Sequence, residues 1–182
     1  LPFVLMIRAW QGEHRALWRD SQVRAFLVML LTVILLLSVW LWIDGVYADY
    51  EPALRHAAVN VVSLGTTTGF ASTDYQLWGA AVMPLLLFLM LSGGCTGSTA
   101  SGIKIFRWEI LFGLARRQVR QAINPHRVMA RRSNGRPLPA DVPASVGLYF
   151  FLYLGLLFLF TVGLGATGLD FVTALSGATS ML

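Results

Sequence analysis

The stretch Thr66-Thr67-Thr68-Gly69-Phe70 lies between a short amphipathic segment and a long apolar one. Small residues and one glycine at membrane depth can hold backbone carbonyls in an extended, non-helical line, and such carbonyls can replace the water shell of a cation. In lipid, non-helical backbone is tolerated only where protein buries it or where it lines a watery cavity. The stretch therefore predicts a cation filter within a chain of membrane helices.

The composition of the chain supports a membrane environment. Of its 182 residues, 56% are hydrophobic and only 13% are charged, and its mean hydropathy is +0.65. A soluble domain carries roughly 25% charged residues. The formal net charge of +5 would suit nucleic-acid binding, but the sequence shows no folded basic face. We therefore expect the lipid bilayer, and no nucleic acid, as a partner.

Three segments are predicted to cross the bilayer, which takes about 20 apolar helical residues. Residues 25–43 and 144–164 form unbroken apolar spans. The third segment, residues 77–123, contains a glycine-rich interruption at residues 92–102, and we interpret it as one helix broken in the middle. The alternative is a helix that ends at Ser92 before an ordinary loop, but that helix would be too short to cross.

The distribution of charged residues predicts the orientation of these spans. Loops rich in arginine and lysine stay in the cytoplasm. We therefore expect residues 1–24 and 124–143 to be cytoplasmic and the stretch 66–70 to open toward the outside. The residues that carry this assignment are Arg8, Arg15, Arg19, Arg24, Lys104, Arg107, Arg116, Arg117, Arg120, Arg127, Arg131, Arg132 and Arg136 on the inside, and Asp44, Asp49, Glu51, Asp74 and Asp170 with Arg55 on the outside.

A short helix is predicted at residues 51–64, between the first span and the threonine stretch. Glu51 and Pro52 suit its first turn, and its C-terminal carbonyls would favour a cation at the membrane centre. The order span, re-entrant pore helix, filter and span is that of a potassium-channel pore unit. Because span 144–164 is followed by Asp170 and a partial pore helix at 170–182, we infer an internal repeat. The predicted fold class is an all-α integral membrane protein with potassium-channel-like repeats and a glycine-broken second helix.

The domain organisation follows from these elements. We expect a cytoplasmic segment at residues 1–24, a complete pore unit at 25–123, a cytoplasmic connector at 124–143 and the start of the next unit at 144–182. The connector is rich in the helix breakers proline and glycine. Since the sequence begins without methionine and ends inside an element, we also expect it to belong to a longer protein.

Two motifs follow one another along the chain: Ser63-Leu64-Gly65-Thr66-Thr67-Thr68-Gly69-Phe70 with Asp74 and Trp78, and Gly93-Gly94-Cys95-Thr96-Gly97-Ser98-Thr99-Ala100-Ser101-Gly102-Ile103-Lys104 with Arg107. They resemble the third pore unit of TrkH and KtrB potassium transporters, and the likeness covers nearly the whole chain, including the connector and the start of the fourth unit. In that family, four units surround one pore. The resemblance implies potassium uptake in the bacterial cell inner membrane, a homodimer, and a cytoplasmic nucleotide-binding regulatory protein of the TrkA/KtrA type.

The resemblance also implies roles for residues of the threonine stretch. Backbone carbonyls of Thr66, Thr67, Thr68 and Gly69, up to Phe70, would coordinate dehydrated potassium. Hydroxyls of Thr67 and Thr68 would add ligands or brace the wall, and glycine at position 69 permits backbone angles that other residues restrict. The alternative is an ordinary Thr-Gly turn. No organic cofactor is expected.

The glycine-rich break is similar to the family's intramembrane loop, which obstructs the pore and moves aside on opening. A phosphate-binding loop is excluded, because Gly102 is followed by Ile103 and not by lysine. A seam of small residues between packed helices remains an alternative. Lys104 either marks topology or places positive charge near the closed gate. The predicted gate residues are Gly93, Gly94, Gly97, Ser98, Thr99, Ser101 and Gly102.

Other functions find less support in the sequence. No grouping of serine, histidine and carboxylate suggests a nucleophile, and one cysteine gives neither an intrachain disulfide nor a zinc cluster, so we do not expect an enzyme. A secondary transporter that couples sodium or protons to potassium would need a carboxylate in mid-span. The third hypothesis is a structural membrane module in which the glycines only allow helices to pack. Most of the six tryptophans, Trp78 among them, lie near span ends, as in an interfacial belt.

Overall fold

The computed structural model describes residues 2–123, 132–133, 136–137 and 142–182, and these are mostly helical, which confirms the all-α fold class. The helices are α1 (Phe3–Trp10), α2 (His14–Arg19), α3 (Ser21–Ile43), α4 (Tyr50–Gly65), α5 (Met83–Leu91), α6 (Ile105–Ile123), α7 (Val142–Ala166) and α8 (Phe171–Met181), with a 3-10 helix at Tyr75–Trp78. Two-residue strands β1 (Ser92–Gly93) and β2 (Ile103–Lys104) pair in parallel, and β3 (Arg132–Ser133) pairs antiparallel with β4 (Arg136–Pro137).

Two of the described helices, α3 and α7, are long and apolar enough to cross a membrane. Helix α3 begins at Ser21, four residues before the predicted start, because Asp20 accepts hydrogen bonds from the N–H groups of Gln22 (2.9 Å) and Val23 (3.1 Å). Such an N-cap satisfies donors that the first helical turn leaves unpaired. Helix α7 begins at Val142, since the ring of Pro143 fits a first turn.

Helix α4 packs closely against α3 through small side chains. Ala53 and Ala57 are completely buried on α4, and alanines four residues apart let two helix backbones approach. Helix α8 has the same pattern, because Ala174 and Ala178 are also buried. In each case the first alanine comes four residues after an aspartate, Asp49 or Asp170, that precedes the helix. This similarity supports the inferred repeat.

The segment before α5 differs from the prediction, which placed the start of the helix at Leu77. The helix begins at Met83, since Pro84 occupies its first turn and Gly79 has φ +94. Asp74 caps the preceding 3-10 helix by accepting the N–H of Gln76 at 2.9 Å. The side chain of Trp78, which the sequence places near a span end, is only 1% exposed in the core shared by α3, α4 and α5.

Aromatic side chains join the broken helix to α7. The Trp108 ring lies 5.8 Å from that of Phe88 on α5 and 5.3 Å from that of Phe150 on α7. The guanidinium carbon of Arg107 lies 3.7 Å from the ring centroid of Tyr149. Most of the predicted connector, including Arg127 and Arg131, lies outside the described residues.

Candidate functional site

The threonine segment, residues 66–74, begins as the C-terminal turn of α4. The N–H of Thr66 donates to Val62 O (2.9 Å), and the N–H of Thr68 donates to Ser63 O (2.9 Å). Thr66 therefore has helical angles, φ −97° and ψ −1°. The prediction of an extended backbone from Thr66 onward is wrong at this residue, and the non-helical backbone begins at Thr67.

The backbone of the threonine segment is strained at Thr67. This is the one residue other than glycine that has positive φ among the described residues, at +54°, and Gly69 follows at +84°. The left-handed region costs an ordinary residue about 1–2 kcal/mol. Two left-handed residues at alternate positions are incompatible with a regular strand, where φ lies near −120° to −140°. Strain of this kind is found at functional sites more often than elsewhere.

The far end of the threonine segment is hydrogen-bonded to the middle of α4. The Asn60 side chain is 1% exposed; its Oδ1 accepts the N–H of Ser72 (3.1 Å), and its Nδ2 donates to Ser72 Oγ (3.2 Å) and Thr73 Oγ1 (3.4 Å). Ser72 Oγ also lies 3.0 Å from Nδ1 of His56. The Tyr47 ring stacks on His56 at 5.3 Å.

The glycine loop, residues 92–104, separates α5 from α6 while holding their ends together. Ser92 pairs with Ile103 and Gly93 with Lys104 in the parallel ladder. The N–H of Ile105 donates to Gly94 O at 3.3 Å. The two halves of the broken helix therefore stay adjacent, and residues 95–102 project from the junction.

Two glycines of this loop lie where no side chain would fit. A Cβ on Gly93 would lie 2.2 Å from Ser101 O, and one on Gly102 would lie 2.9 Å from Leu91 O. Gly102 also has φ +81°, which glycine adopts at no steric cost. Glycine is thus required here by close backbone approach, and flexibility alone does not account for it.

Lys104 closes the glycine loop from within. Its Nζ donates to the carbonyl oxygens of Ser98 (3.1 Å) and Ala100, so these carbonyls have a charged partner at the break. Ser98 Oγ donates to Cys95 O at 2.7 Å, and this bond satisfies a backbone carbonyl that the break in the helix leaves free. The loop is also bonded to other elements: Thr96 N–H donates to Gln22 Oε1 (3.0 Å), and Phe3 N–H to Gly97 O (3.3 Å).

A cavity of about 270 Å³ lies between the threonine segment and the glycine loop. A single water needs only about 10–15 Å³ of such volume, so several can surround an ion there. Thr66, the C-cap of α4, lies at its wall, and the negative end of the helix dipole favours a cation at that place. The cavity is lined by Phe3, Met6, Phe26, Thr66, Thr68, Gly94, Ser98, Thr99 and Ala100.

The structure brings the two predicted groups of site residues to one cavity, but it does not bring all of them there. Within the described part of the chain, Thr67, Gly69 and Phe70 are exposed and do not line the cavity. The positions at the base and tip of the glycine loop do not line it either; these are Gly93, Gly97, Ser101, Gly102 and Lys104.

Sequence reasoning missed Asn60 and Gln22, as well as Phe3 and Met6 at the cavity wall. Asn60 had a detectable signal, because it lies seven residues after Ala53 and three after Ala57, on the buried face of α4. A lone amide on such a face needs partners. No comparable signal marks Gln22, whose partner lies 74 residues away.

Two long apolar helices, α3 and α7, that carry large hydrophobic side chains on their exposed faces are typical of an all-α integral membrane protein. The sequence profile of the family described as TrkH, cation transport protein, matches residues 4–182. The chain belongs to this family, which confirms the resemblance of its motifs.

Several characterised proteins are similar to this chain. The Trk system potassium uptake protein TrkI of Halomonas elongata is 43% identical over 99% of the chain, which covers 36% of that protein. TrkH of Escherichia coli K12 is 29% identical over 91% of the chain and is 34% covered. The crystal structure of the potassium transporter TrkH from Vibrio parahaemolyticus matches with TM-score 0.90 and 29% identity, over 99% of this chain and 39% of that one. The chain thus spans about a third of the length of these relatives.

Proposed function

We propose that this chain supplies one pore unit, and the start of another, to a protein that takes up potassium across the bacterial inner membrane. The names of the relatives support potassium as the transported ion. The paired arrangement of α3 with α4 and of α7 with α8 supports successive units, residues 25–123 and 144–182. Both α3 and α7 would span the bilayer, with the N-terminal segment and the connector on the cytoplasmic side.

The strained backbone beside the cavity carries this proposal. Carbonyls of residues 66–70 coordinate dehydrated potassium, and Thr67 and Thr68 hydroxyls act as further ligands or as braces. Thr67 has a strained backbone although its side chain is exposed. A functional role therefore accounts for the strain better than packing does. The exposure of Thr67, Gly69 and Phe70 fits a wall that further units of the longer protein complete.

The glycine loop acts as the gate in this proposal. Its residues Gly94, Ser98 and Thr99 line the same cavity as Thr66 and Thr68 of the threonine segment. Lys104 places a positive charge at the loop and holds two of its carbonyls, and both effects favour a closed path. A homodimer and a cytoplasmic nucleotide-binding regulatory protein of the TrkA/KtrA type would complete the assembly.

The test is a double substitution in the intact protein, Thr68→Val with Gly69→Ser, expressed in cells that lack potassium uptake. The expected result is lost uptake or lost discrimination of potassium from sodium, because the wall hydroxyl and the left-handed backbone are both changed. Uptake is measured by isotope flux together with the amount of protein in the membrane.

Thr32→Val with Gly45→Ser is the matched control for this test. Thr32 is an exposed α3 residue that bonds Val28 O at 2.7 Å, and Gly45 is a left-handed glycine, φ +74°, with open space around it. The control should transport normally. Normal uptake and selectivity in the Thr68/Gly69 variant would instead favour a structural module whose glycines only pack helices.

A further inference from the structure

We propose that Asn60 is a positioning residue that fixes the far end of the threonine segment, at Ser72 and Thr73, and thereby sets its ion selectivity. This inference rests on the proposed function, because it assumes that residues 66–70 coordinate the ion. Asn60 does not line the cavity, so it acts through Ser72 and Thr73 and does not touch the ion itself.

The hydrogen bonds define how the Asn60 amide is oriented. A backbone N–H can only donate, so the atom facing the N–H of Ser72 is the amide oxygen, Oδ1. The two hydrogens of the nitrogen then face three acceptors, so one hydrogen is shared between two of them: His56 O at 3.0 Å, Ser72 Oγ and Thr73 Oγ1. One buried amide thus joins its own helix to two successive residues of the threonine segment.

The segment between its two anchors has little other support. Thr66 to Thr68 are held by the last turn of α4, and Ser72 and Thr73 are held by Asn60. In between, Gly69 has nothing within 4 Å of a Cβ position, and Phe70 is 76% exposed. The path of the backbone from Thr68 to Ser72 therefore depends on the distance between these two anchors.

A ring pair closes the far side of this anchor. His56 contacts Ser72 Oγ through Nδ1, and Tyr47 stacks on the histidine while its hydroxyl donates to Thr73 Oγ1 at 3.4 Å. The hydroxyls of Ser72 and Thr73 consequently each have a second partner besides Asn60. Networks of this kind rigidify when every member is satisfied.

A selectivity role and a merely structural role predict different measurements. If Asn60 only stabilises α4, then removing it resembles removing any buried side chain of that helix. Val61 provides this comparison, since it is the next residue, is completely buried in the core, and makes no hydrogen bond with its side chain. Asn60→Ala and Asn60→Asp should alter the discrimination of potassium from sodium, whereas Val61→Ala should alter only the melting temperature.

The experiment uses the intact protein in vesicles and measures potassium and sodium flux together with the melting temperature. For Asn60→Ala we expect the potassium-to-sodium ratio to fall about tenfold, which corresponds to about 1.4 kcal/mol. Asn60→Asp keeps an oxygen toward the N–H of Ser72 but loses the donors. We expect this variant to lower the potassium-to-sodium ratio by a smaller factor. Thr73→Val, which removes one hydroxyl and leaves the helix intact, should shift the ratio in the same direction and provides the test if Asn60 variants do not fold.

Gly69→Ala in the same assay separates the two proposals. Suppose that Gly69→Ala changes the potassium-to-sodium ratio, whereas folded Asn60 and Thr73 variants do not. The positioning role of Asn60 is then overturned, and the filter assignment stands. If none of these variants changes the ratio, the filter assignment is overturned, and the positioning role with it. Equal ratios for Asn60→Ala and Val61→Ala would also overturn the positioning role.

Discussion

The threonine segment and the glycine loop are both non-helical, yet they are held in different ways. The threonine segment is anchored at both ends to one helix, α4, by its last turn and by Asn60. The glycine loop is paired only at its base, through β1 and β2, while its projecting part is held by Lys104 and by single bonds to Gln22 and Phe3. The threonine segment is therefore fixed at both ends, and the glycine loop is fixed mainly at its base.

This difference suits the two roles proposed above. A coordinating wall must keep its geometry while ions pass, and an anchor at each end limits its movement. A gate must have two states separated by only a few kcal/mol. Since an intramolecular hydrogen bond contributes a net 0.5–1.5 kcal/mol or so, the few bonds on the projecting loop give a free-energy difference of about that size. The ladder at its base keeps α5 and α6 aligned in both states.

The largest expected effect comes from breaking the base of the glycine loop. Gly93→Ala places a Cβ against the backbone at Ser101, so the ladder must shift, and we expect a loss of about 3 kcal/mol in stability with a raised basal flux. The matched control is Gly113→Ala on α6, where nothing lies within 4 Å and alanine favours the helix by about 1 kcal/mol. Thermal unfolding in detergent compares the two; a similar melting temperature for both would contradict the close approach.

The next effect comes from removing the charge within the loop. Lys104→Ala deprives the carbonyls of Ser98 and Ala100 of a charged donor, and such bonds contribute about 2 kcal/mol. We therefore expect the closed state to weaken and basal potassium flux to rise by roughly 30-fold. Arg8→Ala, which removes an exposed positive charge, is the control. Unchanged basal flux in the Lys104 variant would contradict a role of Lys104 in closing the gate.

The sequence predicted the helices well because their signal is local. Apolar runs, an aspartate before a short helix and the repeat of that order indicated α3, α4, α7 and α8. Boundaries differed where one residue decides them, as Asp20 does for α3 and Pro84 for α5. Composition could not reveal these starts, because they depend on which backbone donors are satisfied.

The site was only partly predictable, for a similar reason. Thr66 to Phe70 and the glycine loop stood out as unusual residue runs in an apolar setting. Their supports did not, since the bonds from Asn60 to Ser72 and from Gln22 to Thr96 join residues 12 and 74 positions apart. For Lys104 the sequence indicates only a positive charge, because the carbonyls that it contacts come close only when the loop is folded.

A smaller effect is expected at the bond between the glycine loop and α3. Gln22→Met removes the acceptor for the N–H of Thr96, which costs about 1 kcal/mol, and basal flux should rise about fivefold. Gln22→Glu keeps an oxygen at that position and should behave like the unchanged protein. If both variants raise the flux equally, the hydrogen bond to Thr96 is not what holds the loop.

The smallest effect is expected at the exposed ion pair of Arg55 with Glu51 on α4. Arg55 Nε lies 3.7 Å from Glu51 Oε1, and the two side chains are 63% and 73% exposed. Because exposed ion pairs contribute little, Arg55→Gln should change the free energy of unfolding by less than about 0.5 kcal/mol. The potassium-to-sodium ratio should not change either. Because Arg55 lies on the same helix as Asn60, this result would show that the threonine segment is supported by the buried amide, whereas a shift as large as that of Asn60→Ala would assign the support to the charged surface of α4.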